Sequence, residues 1–332
     1  MLSQVVELIE NQNNFAITTH VRPDGDGIGS SLGLRWLLTS LGKEAEVIIR
    51  DQIPNSYMSL PGAADIRRVT RIDREYDAVF VMECSDMDRP GIADLEKSLV
   101  VNIDHHATCE HFGTINWIDP TASAVGEMIY NLCKAIGGKV SEEIAECVYM
   151  ALVTDTGSFH FPNTSERTLK VASELVKAGA KPSDVSEAVY NSYSWSRIAL
   201  MQKVLATLKR SADGRIAFMR QTRAMVEETG AADGDNNGFV NIPLTAKDIF
   251  ASFYMREVED NVFRVSLRSK GEVNVARVAE VFDGGGHKNA AGCRLEGEWD
   301  QLENELIEAL TAEIELADNE REPVNSPQLS LA

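Results

Sequence analysis

The sequence predicts an α/β protein in which a doubly wound, mainly parallel sheet forms the N-terminal domain and a smaller α+β domain follows. Three patterns indicate this. Apolar strands alternate with helical segments through the first half of the 332 residues. The strands at 77–84 and 98–104 are almost continuously apolar, as in a parallel sheet that is covered on both faces. From Arg215 onward the pattern changes to strands of an antiparallel type.

The first predicted strand, residues 15–20, runs into a polar, glycine-rich loop and then into a helix at 29–42. Further strands follow, and they are placed at 45–50, 77–84 and 98–104. Three helices come next, each opened by a serine, which is a favourable N-terminal cap; they are placed at 123–137, 141–155 and 165–179. Ligands bind outside the carboxyl ends of strands in such sheets, so polar residues at these ends are candidate site residues.

The second half predicts a smaller domain that is joined by a connecting helix. We expect a metal-binding catalytic domain at 1–190, a helical linker at 191–212 and a substrate-binding domain at 213–317. The predicted strands of that domain are followed by helices at 273–283 and 299–316. Residues 318–332 are rich in polar residues and proline, which predicts a disordered tail.

Composition narrows the class of partner. The formal net charge is −19 and no run of lysine and arginine occurs, which disfavours long duplexes and anionic membranes. Small phosphorylated substrates remain compatible, because bound cations reverse the local potential. The five cysteines show no CxxC spacing, which is typical of free thiols in a reducing cytoplasm. The acidic N-terminus is unlike a signal peptide, so we expect a cytoplasmic location.

One group of candidate metal ligands follows the first strand, where His20, Asp24 and Asp26 lie within seven residues. A mixed set of imidazole and carboxylate ligands suits Mn²⁺ or similar ions. The glycines between them allow a sharp turn that aims both carboxylates one way. An Asp-Gly turn leading into a capped helix is the competing interpretation.

Two further groups complete this pattern. Asp104, His105 and His106 directly follow the apolar run 98–103, where one histidine could bind metal and the other a substrate phosphate. Asp155 ends an apolar helix, where the helix dipole disfavours an acid, so metal ligation explains it better than stability does. A polar loop and a surface acid are the respective alternatives.

A glycine-rich segment, DGGGHKNAAG at 283–292, lies between an apolar helix and a strand of the second domain. Three successive glycines could leave backbone N–H groups free to surround an anion, and His287 and Lys288 add positive donors. The competing interpretation is a flexible linker.

Together, HVRPDGDGIGS, DHH, ALVTDTGSF and GGGHKNAAG resemble the DHH phosphoesterase superfamily with its C-terminal DHH-associated domain. The resemblance covers about residues 10–315. A chain of this size without additional domains most resembles the bifunctional oligoribonuclease and PAP phosphatases. Those enzymes remove mononucleotides from short oligonucleotides and dephosphorylate 3′-phosphoadenosine 5′-phosphate (PAP).

The resemblance implies two bound ions, Mn²⁺ or alternatively Mg²⁺ or Co²⁺, and a role for each candidate residue. The implied metal ligands are His20 and Asp24 for one ion, Asp26, His105 and Asp155 for the other, and Glu83 as the bridge. The implied catalytic residues are His106, which faces the substrate phosphate, and Asp104. The implied substrate-binding residues are Arg89, Ser123, Arg268, Ser269, Gly285, Gly286 and His287.

The implied partners are short RNA or DNA oligonucleotides, PAP and dinucleotides, with a homodimer as a further expectation. Two residues depart from the family pattern: Glu83 stands where the family has Asp, and Cys109 stands where it often has Asn. Competing enzyme hypotheses are a phosphodiesterase of cyclic or linear dinucleotides and a RecJ-like exonuclease. A manganese pyrophosphatase is disfavoured by the GGGH segment. A nucleotide-binding sensor with impaired catalysis is the alternative of another class.

Overall fold

The computed structural model describes residues 1–232 and 234–321. The chain forms two compact units, Met1–Ser192 and a second unit that begins at Tyr193. Within the described residues, no helix combines the length and the apolar character that a membrane crossing requires.

The first unit is built on a six-stranded sheet in which every pair of neighbours is parallel. Its strands are β1 (Asn14–Thr19), β2 (Glu44–Ile49), β3 (Arg67–Arg68), β4 (Ala78–Met82), β5 (Val100–Asp104) and β6 (Ile115–Ile118). Their order is β3-β2-β1-β4-β5-β6. The strand order therefore reverses between β1 and β4, and all the carboxyl ends meet at one edge of the sheet.

Six helices accompany this sheet. They are α1 (Leu2–Asn11), α2 (Gly25–Ser40), α3 (Val125–Ala135), α4 (Glu142–Asp155), α5 (Glu166–Ala178) and α6 (Pro182–Tyr190). All six contribute to the larger apolar cluster, on the face that receives Phe15 and Ile17 of β1. The other face, which receives Ala16, is covered by connecting segments around Ile92 and Leu95. The predicted parallel α/β class is confirmed, and the two faces differ in what covers them.

The second unit holds a mixed sheet with helices. In chain order its elements are α7 (Trp195–Leu205), β7 (Lys209–Arg210), β8 (Ile216–Gln221), α8 (Arg223–Thr229), β9 (Ala251–Glu259), β10 (Val262–Ser269), α9 (Val275–Val281), β11 (Gly285–His287), β12 (Ala290–Glu296) and α10 (Trp299–Arg321). The strand order is β11-β12-β10-β9-β8-β7. Neighbours are antiparallel except β8 and β9, which are parallel, so the expectation of antiparallel strands alone is corrected at that pair.

Two boundaries differ from the sequence-based expectation. The segment 191–212 is more than a linker, because Leu200 and Val204 of α7 are buried against Met219 and Phe239 in the second unit. The last helix, α10, continues to Arg321, four residues into the predicted disordered tail. The remainder of that tail, 322–332, lies outside the described residues.

Candidate metal centre

The turn after β1 places its polar side chains through a helix cap. Asp24 is the N-cap of α2, and its Oδ1 accepts a hydrogen bond from the backbone N of Gly27 at 2.9 Å. His20 Nε2 lies 3.7 Å from Asp24 Oδ1. A side chain at position 27 is excluded, because a Cβ there would lie 2.4 Å from Thr19 Oγ1. The glycine therefore allows the first turn of α2 to approach β1 closely.

Asp26 points into the protein and is 1% exposed. Its two carboxylate oxygens accept hydrogen bonds from the backbone N–H groups of Val125, at 2.6 Å, and Gly126, at 2.9 Å. These N–H groups begin α3, so a free pair of helix N-terminal donors fixes the carboxylate. A segment about a hundred residues away thus sets the orientation of Asp26.

Glu83 lies directly after β4, next to the β1 turn. Its backbone φ is +57°, in the left-handed region that a residue with a Cβ rarely adopts. Its Oε2 lies 3.8 Å from His20 Nε2, is buried, and has no hydrogen-bond partner among the described residues. An unpartnered buried carboxylate oxygen is costly, which is the situation that a bound cation would relieve.

The DHH segment at the end of β5 orients two imidazoles differently. His105 Nδ1 donates to the carbonyl of Ala122 at 3.1 Å, which leaves Nε2 3.6 Å from Asp155 Oδ2 and, among the described residues, without a hydrogen-bond partner. A backbone carbonyl on one ring nitrogen is the usual support of a histidine that binds metal through the other. His106 is half-exposed, and its Nδ1 lies 2.8 Å from Asp104 Oδ1.

Asp104 was expected to be catalytic, and the structure places it differently. Its side chain is fully buried and also accepts the backbone N–H groups of His105 and His106. The carboxylate therefore positions His106 rather than contacting reacting groups. Burial opposes ionisation of Asp104, but the hydrogen bonds from His106 hold its pKa below the usual value. The same hydrogen bond to Asp104 raises the pKa of His106.

The sequence-predicted ligands converge on Glu83. Three sets of ligand atoms each lie within 4.8 Å of one another, and Glu83 belongs to all three. The sets are His20, Asp24 and Glu83; Asp26, Glu83, His105 and Asp155; and Glu83, His105 and His106. Carboxylate and imidazole donors, two of them with unpartnered buried atoms, fit divalent first-row ions.

Electrostatics within this cluster favour a cation. Burial, followed by repulsion from Asp26, Asp24 and Asp155, raises the pKa of Glu83 well above its usual value. Burial and the charges of Asp155 and Asp24 do the same to the pKa of Asp26. Carboxylates held this close repel one another when ionised, and bound divalent ions would remove that repulsion.

The other predicted residues of the first unit lie around this cluster. Arg89 forms no ion pair with the described residues, and its carbonyl accepts the N–H of Val21 at 2.8 Å. Ser123 is fully buried, and its hydroxyl donates to Glu127 at 2.6 Å. The Ser123 hydroxyl is therefore engaged within the protein, in contrast to the expected contact with substrate.

In the second unit, Arg268 is half-buried and donates from Nη1 to the carbonyl of Leu267 at 2.9 Å, without an ion pair among the described residues. Burial lowers the pKa of its guanidinium. Ser269 is buried, and its hydroxyl donates to the carbonyl of Val273 at 2.6 Å. The side chain of Ser269 thus stabilises a turn, unlike the expected substrate-binding group.

The glycine-rich segment is a strand rather than an open loop. Gly285–His287 pairs with Ala290–Glu296 in a tight antiparallel hairpin, so the expectation of a loop with free N–H groups is corrected. Gly286 has φ +148°, and a Cβ there would lie 2.5 Å from the carbonyl oxygen of Ala290. Gly285 has open space around its Cβ position, and His287 is exposed. Gly286 thus allows the close approach of the two strands.

The sequence did not predict two polar residues that hydrogen-bond to Ser123, one of which, Asn163, also hydrogen-bonds to Asp155. The Asn163 amide donates to the carbonyl of Ser123 at 2.9 Å and to Asp155 Oδ2 at 3.3 Å. Glu127 is fully buried and accepts from Ser123 and Thr168. A lone acid in the apolar segment SAVGEMIY was the available signal for Glu127, whereas nothing local distinguished Asn163.

Comparisons with known proteins identify the family of this chain. Residues 14–152 match the DHH family, N-terminal domain, and residues 221–316 match the DHHA1 domain. The bifunctional oligoribonuclease and PAP phosphatase NrnA of Thermus thermophilus is 32% identical over 316 residues, which cover 95% of this chain and 94% of that protein. The chain belongs to the DHH family. As a member of the DHH family it is a metal-dependent phosphoesterase.

Other DHH-family relatives align over nearly the whole chain. The protein with the same name from Bacillus subtilis is 29% identical over 318 residues, 94% of this chain and 98% of that protein. A solved structure of an exopolyphosphatase-related protein from Bacteroides fragilis superposes with a TM-score of 0.87 at 32% identity, and covers 96% of this chain and 97% of that one. The alignments therefore extend over both units of this chain.

Proposed function

We propose that this protein hydrolyses short oligoribonucleotides to mononucleotides and PAP to AMP, and that it does so in the cytoplasm. The convergence of seven polar side chains on the carboxyl ends of β1, β4 and β5 carries the proposal. The names of the Thermus and Bacillus relatives, which align with nearly the whole chain, supply the substrate class. A net charge of −19 supports short substrates over long duplexes.

Two divalent ions, Mn²⁺ in the first place, would fit the ligand sets. His20 and Asp24 would hold one ion, Asp26, His105 and Asp155 the other, and Glu83 would bridge them. When bound, such ions supply Lewis-acid activation of water and of the phosphoryl group. Glu83 is one methylene longer than Asp. Its Oε2 lies 3.8 Å from His20 Nε2 and the residue belongs to all three ligand sets, which supports a bridging role.

His106 would bind the substrate phosphate. The Asp104 carboxylate accepts from Nδ1, so Nε2 is free to donate to a phosphoryl oxygen. The raised pKa of His106 favours the imidazolium form, which makes that hydrogen bond charge-assisted. A donor aimed at developing negative charge stabilises the transition state more than the ground state.

The proposal keeps the substrate-binding roles that the resemblance implies for Arg89 in the first unit and for Arg268 and His287 in the second unit. Arg89 and Arg268 have guanidinium groups without ion pairs among the described residues, so both are available to a phosphate. Gly285 and Gly286 would let the substrate approach the backbone of the hairpin.

Release of AMP from PAP and from the dinucleotide pApA, measured by chromatography with Mn²⁺ and after chelation, tests this proposal. His105→Ala should abolish both reactions, because one metal ion would lose the His105 Nε2 ligand. The matched control is His111→Ala, since His111 is exposed and lies outside the ligand sets. Binding of nucleotides without turnover in Mn²⁺ would instead indicate a sensor, and turnover that survives His105→Ala would refute the ligand assignment.

A further inference from the structure

A concave surface lies on the first unit at the end of β2, the strand that pairs with β1. It is a groove of about 680 Å³ over the carboxyl ends of β2 and β3, and its charged lining residues are Arg50, Asp51, Arg67, Arg68, Arg71 and Asp73. Four arginines against two aspartates give it an excess of two positive charges. In a chain with a net charge of −19, such a concentration of arginine stands out.

These arginines differ in how far their charge is already satisfied. Arg67 is bound by Glu46 at 2.6 Å and by Asp73 at 2.9 Å. Arg71 lies 3.6 Å from Asp94, with a mostly exposed side chain. Arg50 and Arg68 are exposed and form no ion pair with the residues that the structure describes. Two guanidinium groups therefore remain available to an anion in the groove.

The groove adjoins the turn that carries His20 and Asp24. Arg50 directly follows β2, whose residues 44–47 pair with residues 14–17 of β1. Asp51 Oδ2 accepts the backbone N–H of Arg22 at 2.7 Å, which ties the end of β2 to the turn after His20. With neighbouring strands about 4.8 Å apart, β3 lies roughly 10 Å from β1. A nucleotide chain held at the metal centre could cross that distance within one or two nucleotides.

We propose that this arginine groove, defined by Arg50, Arg67, Arg68 and Arg71, binds the internucleotide phosphates of a single-stranded oligonucleotide whose scissile phosphate lies at the metal centre. The inference rests on the proposed function and deepens it. PAP, a single nucleotide, would not reach the groove. Aromatic side chains are missing from its described lining, so it offers no stacking surface for bases and recognises the backbone regardless of sequence.

The test compares Arg50→Ala/Arg68→Ala with wild type on PAP and on an RNA pentanucleotide. Exposed charge pairs contribute about 0.2–1 kcal/mol each, so the ratio of kcat/KM for the pentanucleotide to that for PAP should fall about two- to thirtyfold. The slope of log KM against log salt should also decrease, by about 0.7 for each phosphate that the variant no longer neutralises. Arg50→Lys/Arg68→Lys should restore part of the ratio, because it retains both charges.

The matched control is Lys139→Ala/Lys177→Ala, which removes the same formal charge from exposed positions of the first unit outside the groove. The control should leave the ratio at its wild-type value. An unchanged ratio in the arginine variant, or an equal fall in the lysine variant, would contradict the proposal that the groove binds phosphates.

Fluorescence anisotropy with a labelled pentanucleotide tests binding at the groove independently of the proposed hydrolytic function. If wild type binds the pentanucleotide through Arg50 and Arg68 but does not hydrolyse it, the proposed function fails and the groove stands. If wild type hydrolyses the pentanucleotide and the arginine variant binds it equally well, the groove is wrong and the proposed function stands. Absence of binding to wild type would overturn the groove directly.

Discussion

Glu83 combines three unfavourable properties: a left-handed backbone, burial, and an oxygen without a hydrogen-bond partner among the described residues. Each of these costs stability unless the surroundings compensate it. Such a set at one residue is typical of a functional site in which stability is given up for ligand binding. Glu83 therefore offers a test that does not depend on knowing the substrate.

Glu83→Gln should make the metal-free protein more stable and reduce its stabilisation by Mn²⁺. The raised pKa of Glu83 means that the folded state favours the protonated form, so its stability falls as pH rises above the usual glutamate value. The gap in Tm between variant and wild type should therefore widen from pH 5 to pH 8. Each kcal/mol corresponds to about 2–4 °C for a protein larger than 150 residues.

The control for this experiment is Glu110→Gln, at an exposed position of the same unit. It should change neither the metal-free Tm nor the shift with Mn²⁺. If Glu83→Gln lowered the metal-free Tm and kept the full Mn²⁺ shift, Glu83 would be a structural residue and its role as a bridge would be wrong.

The two histidines of the DHH segment should separate in their effects. His106→Ala should leave the content of bound metal unchanged while kcat falls by about 10²–10³, the usual cost of removing one hydrogen-bond donor to the developing negative charge. His105→Ala should lower the metal content itself. Metal analysis of the purified variants, combined with kcat for a generic phosphodiester, distinguishes these outcomes. Loss of metal in His106→Ala would mean that His106 is a ligand.

Among the elements, the β11–β12 hairpin provides a matched pair of glycines. Gly286→Ala places a Cβ 2.5 Å from a backbone oxygen of the partner strand, at a φ of +148°. We expect this variant to lose about 1–3 kcal/mol in the free energy of unfolding. Gly285→Ala, whose Cβ meets no described atom within 4 Å, should cost far less. Urea unfolding measures both, and equal losses would contradict the hairpin geometry.

The sequence predicted those elements whose signals are local. Apolar runs located β1, β4 and β5. Polar residues after β1 and β5 indicated that His20 and His105 would lie at one edge of the sheet, since the carboxyl ends of parallel strands share an edge. Glu83 was expected only from the resemblance to the DHH superfamily. The serines that cap α4 and α5 were also predicted, and the hydroxyl oxygen of each accepts a hydrogen bond from a backbone N–H of the first turn.

The features that the sequence did not predict depend on distant partners. The two N–H groups that hold Asp26 come from Val125 and Gly126, about a hundred residues away. The glycine run at 284–286 was interpreted as a loop, because only its register with Ala290–Glu296 makes it a strand. Likewise β8 and β9 are parallel because a helix and a 3₁₀ segment connect them. The apolar pattern within either strand does not predict this relative direction.

For the whole molecule, charge and the placement of arginines argue for short substrates. The chain has 51 acidic and 32 basic residues, so a long polyanion would be repelled by most of its surface. Arg89 beside the centre and Arg50 and Arg68 in the groove have guanidinium groups without ion pairs among the described residues. These three groups can contact only a few phosphates, which should limit the gain in affinity with chain length.

The most direct test of metal-dependent hydrolysis of short substrates is kcat/KM on RNA chains of two to about twenty-four nucleotides and on PAP. Each is measured in Mn²⁺ and again after chelation. The expected result is metal-dependent release of mononucleotides, with AMP formed from PAP. The rate should be highest for chains of two to about five nucleotides and should decline for longer chains, because only a few phosphates contact positive side chains. Equal rates on short and long RNA, or turnover that persists without metal, would contradict it.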